Sequence, residues 1–151
     1  MRLWENGKSG GAGRAIRATV KKQVGNIDRQ VRSRGTQAVN ALRNAELEVL
    51  KGQRSGKVYR KYPYKTNYTA SAPGEPPARR TGNLRMHWNG QIKTGKISNN
   101  GTEVIAELES QDPYASALEN GTSKMAPRPF VDRIKEKAMP EIEKIYSRAY
   151  R

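Results

Sequence analysis

The residues of this chain that could do chemistry are few, and their spacing does not favour it. Its one histidine, His87, has no serine, cysteine or aspartate placed to build a Ser–His–Asp or Cys–His relay. Glu103, Glu107 and Glu109 stand four and two residues apart in an alternating segment; they could hold a hard cation, but a solvated strand face explains them more simply. Gly7-Lys8-Ser9 echoes the end of a phosphate-binding loop, yet that pattern needs a glycine where Arg2 stands and a strand ahead of it. The chain has no cysteine, which excludes a disulfide framework and any thiolate-ligated zinc or iron–sulfur centre. The sequence therefore predicts no catalysis, no metal and no cofactor. Asn67, Asn100 and Asn120 open glycan-acceptor triplets by chance, because no secretory signal is expected and no apolar run is long enough to span a bilayer.

Charge is the stronger signal. Twenty-nine Lys and Arg against fourteen Asp and Glu leave a net charge of +15. Residues 1–65 hold sixteen basic and four acidic side chains, whereas residues 66–151 hold thirteen and ten. A basic half of this strength attracts nucleic acid, an acidic membrane surface or an acidic protein face, less so in high salt. Tyr59, Tyr62, Tyr64 and Tyr68 alternate with Arg60, Lys61 and Lys65. This stretch could stack bases while binding phosphates, or form an edge strand blunted by Lys and Pro.

The elements that position these residues follow from periodicity. Length fits one domain, with residues 1–15, rich in glycine, as a flexible basic arm and residues 16–151 as a single α+β unit. Ile16, Val20, Val24, Ile27 and Val31 step by three and four, and Ala38, Leu42, Ala45 and Val49 continue the stripe, which predicts a long helix to about Leu50. Gly25 and Gly35 are places where it could bend. Arg14, Arg17, Lys21, Lys22, Arg29, Arg32 and Arg34 recur along it with only Asp28 as acid among them. They are the candidate contacts to DNA or to an acidic neighbour.

Pro73, Pro76 and Pro77 exclude helix and central strand around residues 72–77. Thr81-Gly82-Asn83-Leu84 is expected to turn into an extended stretch. Residues 85–97 and 102–109 then predict an antiparallel hairpin turning at Asn100-Gly101, with Val104 and Leu108 facing the helices. Gly90 and Gly95 suggest bulges in its first arm. A short helical turn over 113–119 ends at Asn120-Gly121. Phe130, Ile134, Ala138, Ile142 and Ile145 mark a C-terminal helix with Pro140 as an expected kink. Leu, Ile, Val and Phe together number 24 of 151 residues, below the roughly 20% that supports an independent core in a highly charged chain. Order is expected to depend partly on partners.

Three stretches in this order carry a resemblance. They are Tyr59-Arg60 with Ala70-Ser71-Ala72-Pro73-Gly74-Glu75-Pro76-Pro77, then Thr81-Gly82-Asn83-Leu84-Arg85, and finally Tyr114-Ala115, Leu118-Glu119-Asn120-Gly121-Thr122 and Met125-Ala126-Pro127-Arg128-Pro129-Phe130. Over residues 55–145 the chain resembles the gene-product-ten-like family of tailed bacteriophages, named for phage HK-ninety-seven. Asn120 departs from that family, which usually carries an aromatic before Gly-Thr.

The resemblance implies a structural virion protein of the neck, assembled in the bacterial cytoplasm. It implies a ring, six- or twelve-fold, that joins the portal or connector to the tail and continues the DNA channel. Implied partners are further copies of the chain, head-closure, tail-terminator or tail-tube proteins, and packaged double-stranded DNA through its phosphates, with no membrane. The motif residues would shape the subunit and its interfaces. Prolines 73, 76 and 77 would hold a loop extended, and Gly82 and Gly121 would take conformations other residues resist. Pro129-Phe130 would start the last helix. A non-virion basic nucleic-acid-binding protein is the alternative, but it leaves the Pro-rich and Glu-Asn-Gly-Thr stretches unexplained. A small nuclease or toxin would need an acid/base set that the sequence lacks.

Overall fold

A computed structural model of the chain describes residues 10–63, 65–97 and 101–151. The element order is α1 (Gly11–Lys51), β1 (Val58–Lys61), β2 (Thr66–Thr69), α2 (Asn83–Met86), β3 (Trp88–Ile97), β4 (Gly101–Ser110), α3 (Ala115–Asn120) and α4 (Val131–Tyr146). This is the expected α+β arrangement, with the sheet split into two separate antiparallel hairpins, β1–β2 and β3–β4. Residues 11–15 are the first turn of α1 rather than an arm. The Gly7-Lys8-Ser9 sequence, Tyr64 and the turn residues 98–100 lie outside the described residues.

The long stripe folds as one helix of 41 residues, continuous through both Gly25 and Gly35. Nothing lies within 4 Å of where a side chain at Gly25 would begin, so that glycine answers to no packing demand. Gly35 does. A Cβ there would sit 2.7 Å from Val104 Cγ1, so the missing side chain lets β4 press against the helix backbone. The relation is repeated in reverse at Gly90 on β3, where a Cβ would sit 2.5 Å from Val39 Cγ1 of α1. The β3–β4 register is unbroken from Trp88↔Ser110 to Ile97↔Gly101. The bulges expected at Gly90 and Gly95 are therefore absent, and Gly90 is instead a seat for Val39. Val104, Ala106 and Leu108 share the face turned to α1, as the alternation predicts, while Glu103, Ile105, Glu107 and Glu109 share the other.

The hairpin's first arm begins three residues later than expected. Leu84 and Met86 belong to α2, closed by the amide of Met86 donating to Gly82 O at 3.0 Å and that of His87 to Asn83 O at 3.0 Å. Gly82 precedes this turn with φ 94°, a left-handed conformation that side chains resist. The bend lets Leu84 pack on the core instead of following strand parity.

That core joins the second half of α1 to α4. Ala45, Leu50, Phe130, Ile134 and Ala138 form its buried centre, with Trp88 and Leu118 packed around it. Phe130 is buried and meets Trp88 edge to face, ring centroids 6.0 Å apart. From Phe130 the chain runs as α4 through Pro140 to Tyr146. Residues 148–151 then lie back along α1: Arg34 Nη2 donates to Ala149 O at 2.9 Å, and its guanidinium stacks 3.7 Å over the Tyr150 ring.

Candidate interaction surfaces

Ahead of that strap, α1 stands clear of the body. Ile16, Val20 and Val24 are 65%, 56% and 53% exposed, and Ile27 is also exposed. Over these residues the apolar stripe has no partner among the described residues. Arg17 and Lys21 each follow a stripe residue and flank it at about 100° around the helix. Arg14, Lys22, Arg29 and Arg32 are exposed as well. Arg34 is the exception among the predicted basic contacts. It falls on the stripe itself, is 7% exposed, and ties α1 to the C-terminal strap.

The proline loop is held from three sides. Glu75 accepts the Ser55 hydroxyl at 2.5 Å, the Ser55 amide at 3.1 Å and the Ala72 amide at 2.9 Å. These bonds, the Ser55 hydroxyl first, hold its carboxyl down at about 2. Arg54 clamps the next segment, with Nε and Nη2 donating to Pro77 O at 3.2 and 3.1 Å and Nη2 to Val49 O at 2.8 Å. Arg133 of α4 donates to Gly74 O at 2.8 Å, and the Gly74 amide donates to Pro127 O at 3.1 Å. Gly74 thus docks on α4 and the residues leading into it, while Pro77 is pinned through Arg54 to the end of α1.

The second half of the motif caps a helix. Glu119 Oε2 accepts the amides of Phe130 at 2.8 Å and Val131 at 3.2 Å, so a carboxylate from α3 sits at the N-terminus of α4. Gly121 turns the chain with φ 78°, where a side chain would meet Met125 O at 2.8 Å. Thr122 and Met125 bridge the loop that follows, and Pro129 delivers Phe130 to the core.

Between these loops opens a groove of about 580 Å³. Pro77, Thr81, Gly82, Leu84 and Tyr114 of the motif line it, and so do Lys61, Arg79, Arg80, Arg85 and Arg128 against a single carboxylate, Asp112. Asp112 Oδ1 accepts the Tyr114 amide at 2.8 Å. Tyr62 is 91% exposed at the β1–β2 tip, and Tyr114 is exposed at the other rim. Tyr59 and Tyr68 face each other across that hairpin at 5.8 Å, which occupies one face of each ring. The tyrosine segment forms a paired strand, as one of its two readings expects.

Beneath the groove lies a buried acid. Glu46 of α1 is paired with Arg43, yet its Oε1 has no hydrogen-bond partner among the described residues. Burial pushes its carboxyl up to about 7, against the opposing pull of Arg43 and then Arg85.

His87 is exposed and its Nδ1 lies 2.9 Å from Asn83 O. Glu107 is bound to Lys93 and Gln91 across the ribbon. No group of residues that could hold a metal ion occurs among the described residues. Among the described residues, no helix is long and apolar enough to cross a membrane. The basic groove was missed in the sequence because its cations come from four separate segments; Arg79-Arg80 was the only local trace. Comparison of the chain with protein-family models, curated proteins and solved structures returns no match.

Proposed function

We propose that this protein is a structural subunit of a phage head–tail junction, one copy of a ring that joins the connector to the tail around the DNA channel. The observation that carries this reading is the free half of α1. Its apolar stripe is exposed over three turns and flanked by cations, so the single chain is an unfinished object. A subunit built for neighbours can leave this surface bare, because repeated copies cover it. The stitched proline loop and the Glu119 cap support the reading in a second way. In both, residues of the resembling stretches hold the loops at one end of the body in place. Six exposed cations on the first half of α1 suit a passage that meets phosphates without reading sequence.

The test is assembly of the full chain. The wild type should form closed rings with an open centre, seen by sedimentation velocity and electron microscopy. Val20→Ser with Val24→Ser should leave circular dichroism unchanged and abolish the rings. A wild-type chain that stays monomeric at every concentration, with a sharp melt, would overturn the reading. If that monomer binds duplex DNA with a steep salt dependence, the non-virion nucleic-acid-binding role takes its place.

A further inference from the structure

The groove between the motif loops has the lining of a ligand site. Its walls carry Arg79, Arg80 and Arg128, whose guanidinium groups have no hydrogen bond or ion pair among the described residues. Its floor is apolar, made by Leu50, Leu84 and Leu118 at the edge of the core. A volume of about 580 Å³ is that of a ligand site rather than a surface dimple. We infer that this groove binds an extended acidic peptide segment, carboxylates on the arginines and one apolar side chain on the leucine floor, presented by a partner protein.

Charge complementarity selects the sign of the ligand. Three unpaired guanidiniums around one cavity repel one another, and a row of carboxylates would relieve that repulsion through two-pronged hydrogen bonds. The floor selects the class. Duplex DNA carries its phosphates on the outside of a cylinder far wider than this cavity, so it would meet the rim arginines and leave the leucines uncovered. A free phosphate would likewise ignore the floor. A peptide uses both, and the exposed rings of Tyr62 and Tyr114 would close over its ends. Arg54 and Glu75 pin the proline loop that leads into one wall, so that part of the groove is preformed. A preformed groove loses little entropy on binding. This inference does not depend on the ring, because every residue it uses belongs to one subunit.

The experiment measures fluorescence polarisation of a labelled peptide of alternating Glu and Asp around a central Leu, against the full chain at low salt. Binding should weaken by about tenfold or more in Arg80→Glu and in Arg128→Glu, and should fall when the central Leu becomes Ser. Arg17→Glu with Lys21→Glu, on the free half of α1, should leave it unchanged. Arg85 is left intact because it also faces Glu46. Unchanged circular dichroism of each variant separates lost binding from lost folding. Three results would overturn the inference. One is equal loss in the α1 variant, which would reduce the effect to overall charge. Another is a duplex oligonucleotide that binds more tightly and through the same two arginines, which would make the groove a nucleic-acid site. The last is no peptide binding at all.

Discussion

Glu119 Oε2 lies 2.8 Å from the Phe130 amide nitrogen, and through that bond α3 sets where α4 begins. The cap also fixes the depth at which Phe130 enters the core beside Trp88. Replacing Glu119 with Ala should cost about 1–2 kcal/mol, since two amides at a helix N-terminus lose their acceptor. Glu119→Gln keeps an acceptor and should cost less. Urea denaturation midpoints of the two variants decide it.

Two glycines of α1 should respond to alanine with opposite signs. Gly25→Ala meets no neighbour and should stabilise by about 0.5–1 kcal/mol through helix propensity. Gly35→Ala drives a methyl into Val104 and should destabilise by about 1–3 kcal/mol. Adding Val104→Ala should recover part of that loss, giving a measurable coupling in a double-mutant cycle.

Stability should fall as pH rises from about 4.5 to about 7, because of Glu46. Its folded carboxyl holds a proton up to about 7, against an ordinary value of 4.5. Its contribution is therefore complete below 4.5 and is lost as pH climbs through about 7. Glu46→Gln should flatten the urea midpoint across that window. Glu75 runs the other way: its contribution is present above 4.5 and disappears as pH falls through about 2.

Replacing Arg17, Lys21 and Lys22 with Gln should leave the fold intact by circular dichroism, because all three are exposed on the free half of α1. Any duplex binding should weaken for every sequence alike, and the slope of log affinity against log salt should drop by up to about 3. Unchanged ring formation and unchanged DNA retention would show that these side chains are only solvated.

Periodicity made the long helix, the β3–β4 ribbon and the terminal helix legible, because each buries one face and that face recurs at its own period. What escaped was decided by contacts between distant segments. Gly90 reads as a bulge in one strand and becomes a packing seat only when Val39 arrives from α1. Leu84 keeps strand parity with Trp88 on paper, but α2 forms because Gly82 turns the chain. Arg34 reads as one more surface cation, although helical geometry places it on the apolar stripe. The groove was illegible for a related reason, since Arg80 and Arg128 are 48 positions apart in sequence.

The two glycine seats have a mechanical consequence. Val104 pressed against Gly35 and Val39 against Gly90 act as a key in a slot, because neither pair tolerates rotation of α1 about its own axis. The helix runs unbroken from there to Gly11, so its free half behaves as a lever whose azimuth is set inside the body. The direction in which Ile16 and Val20 point is thus decided about 30 Å away from them, at a pair of missing side chains.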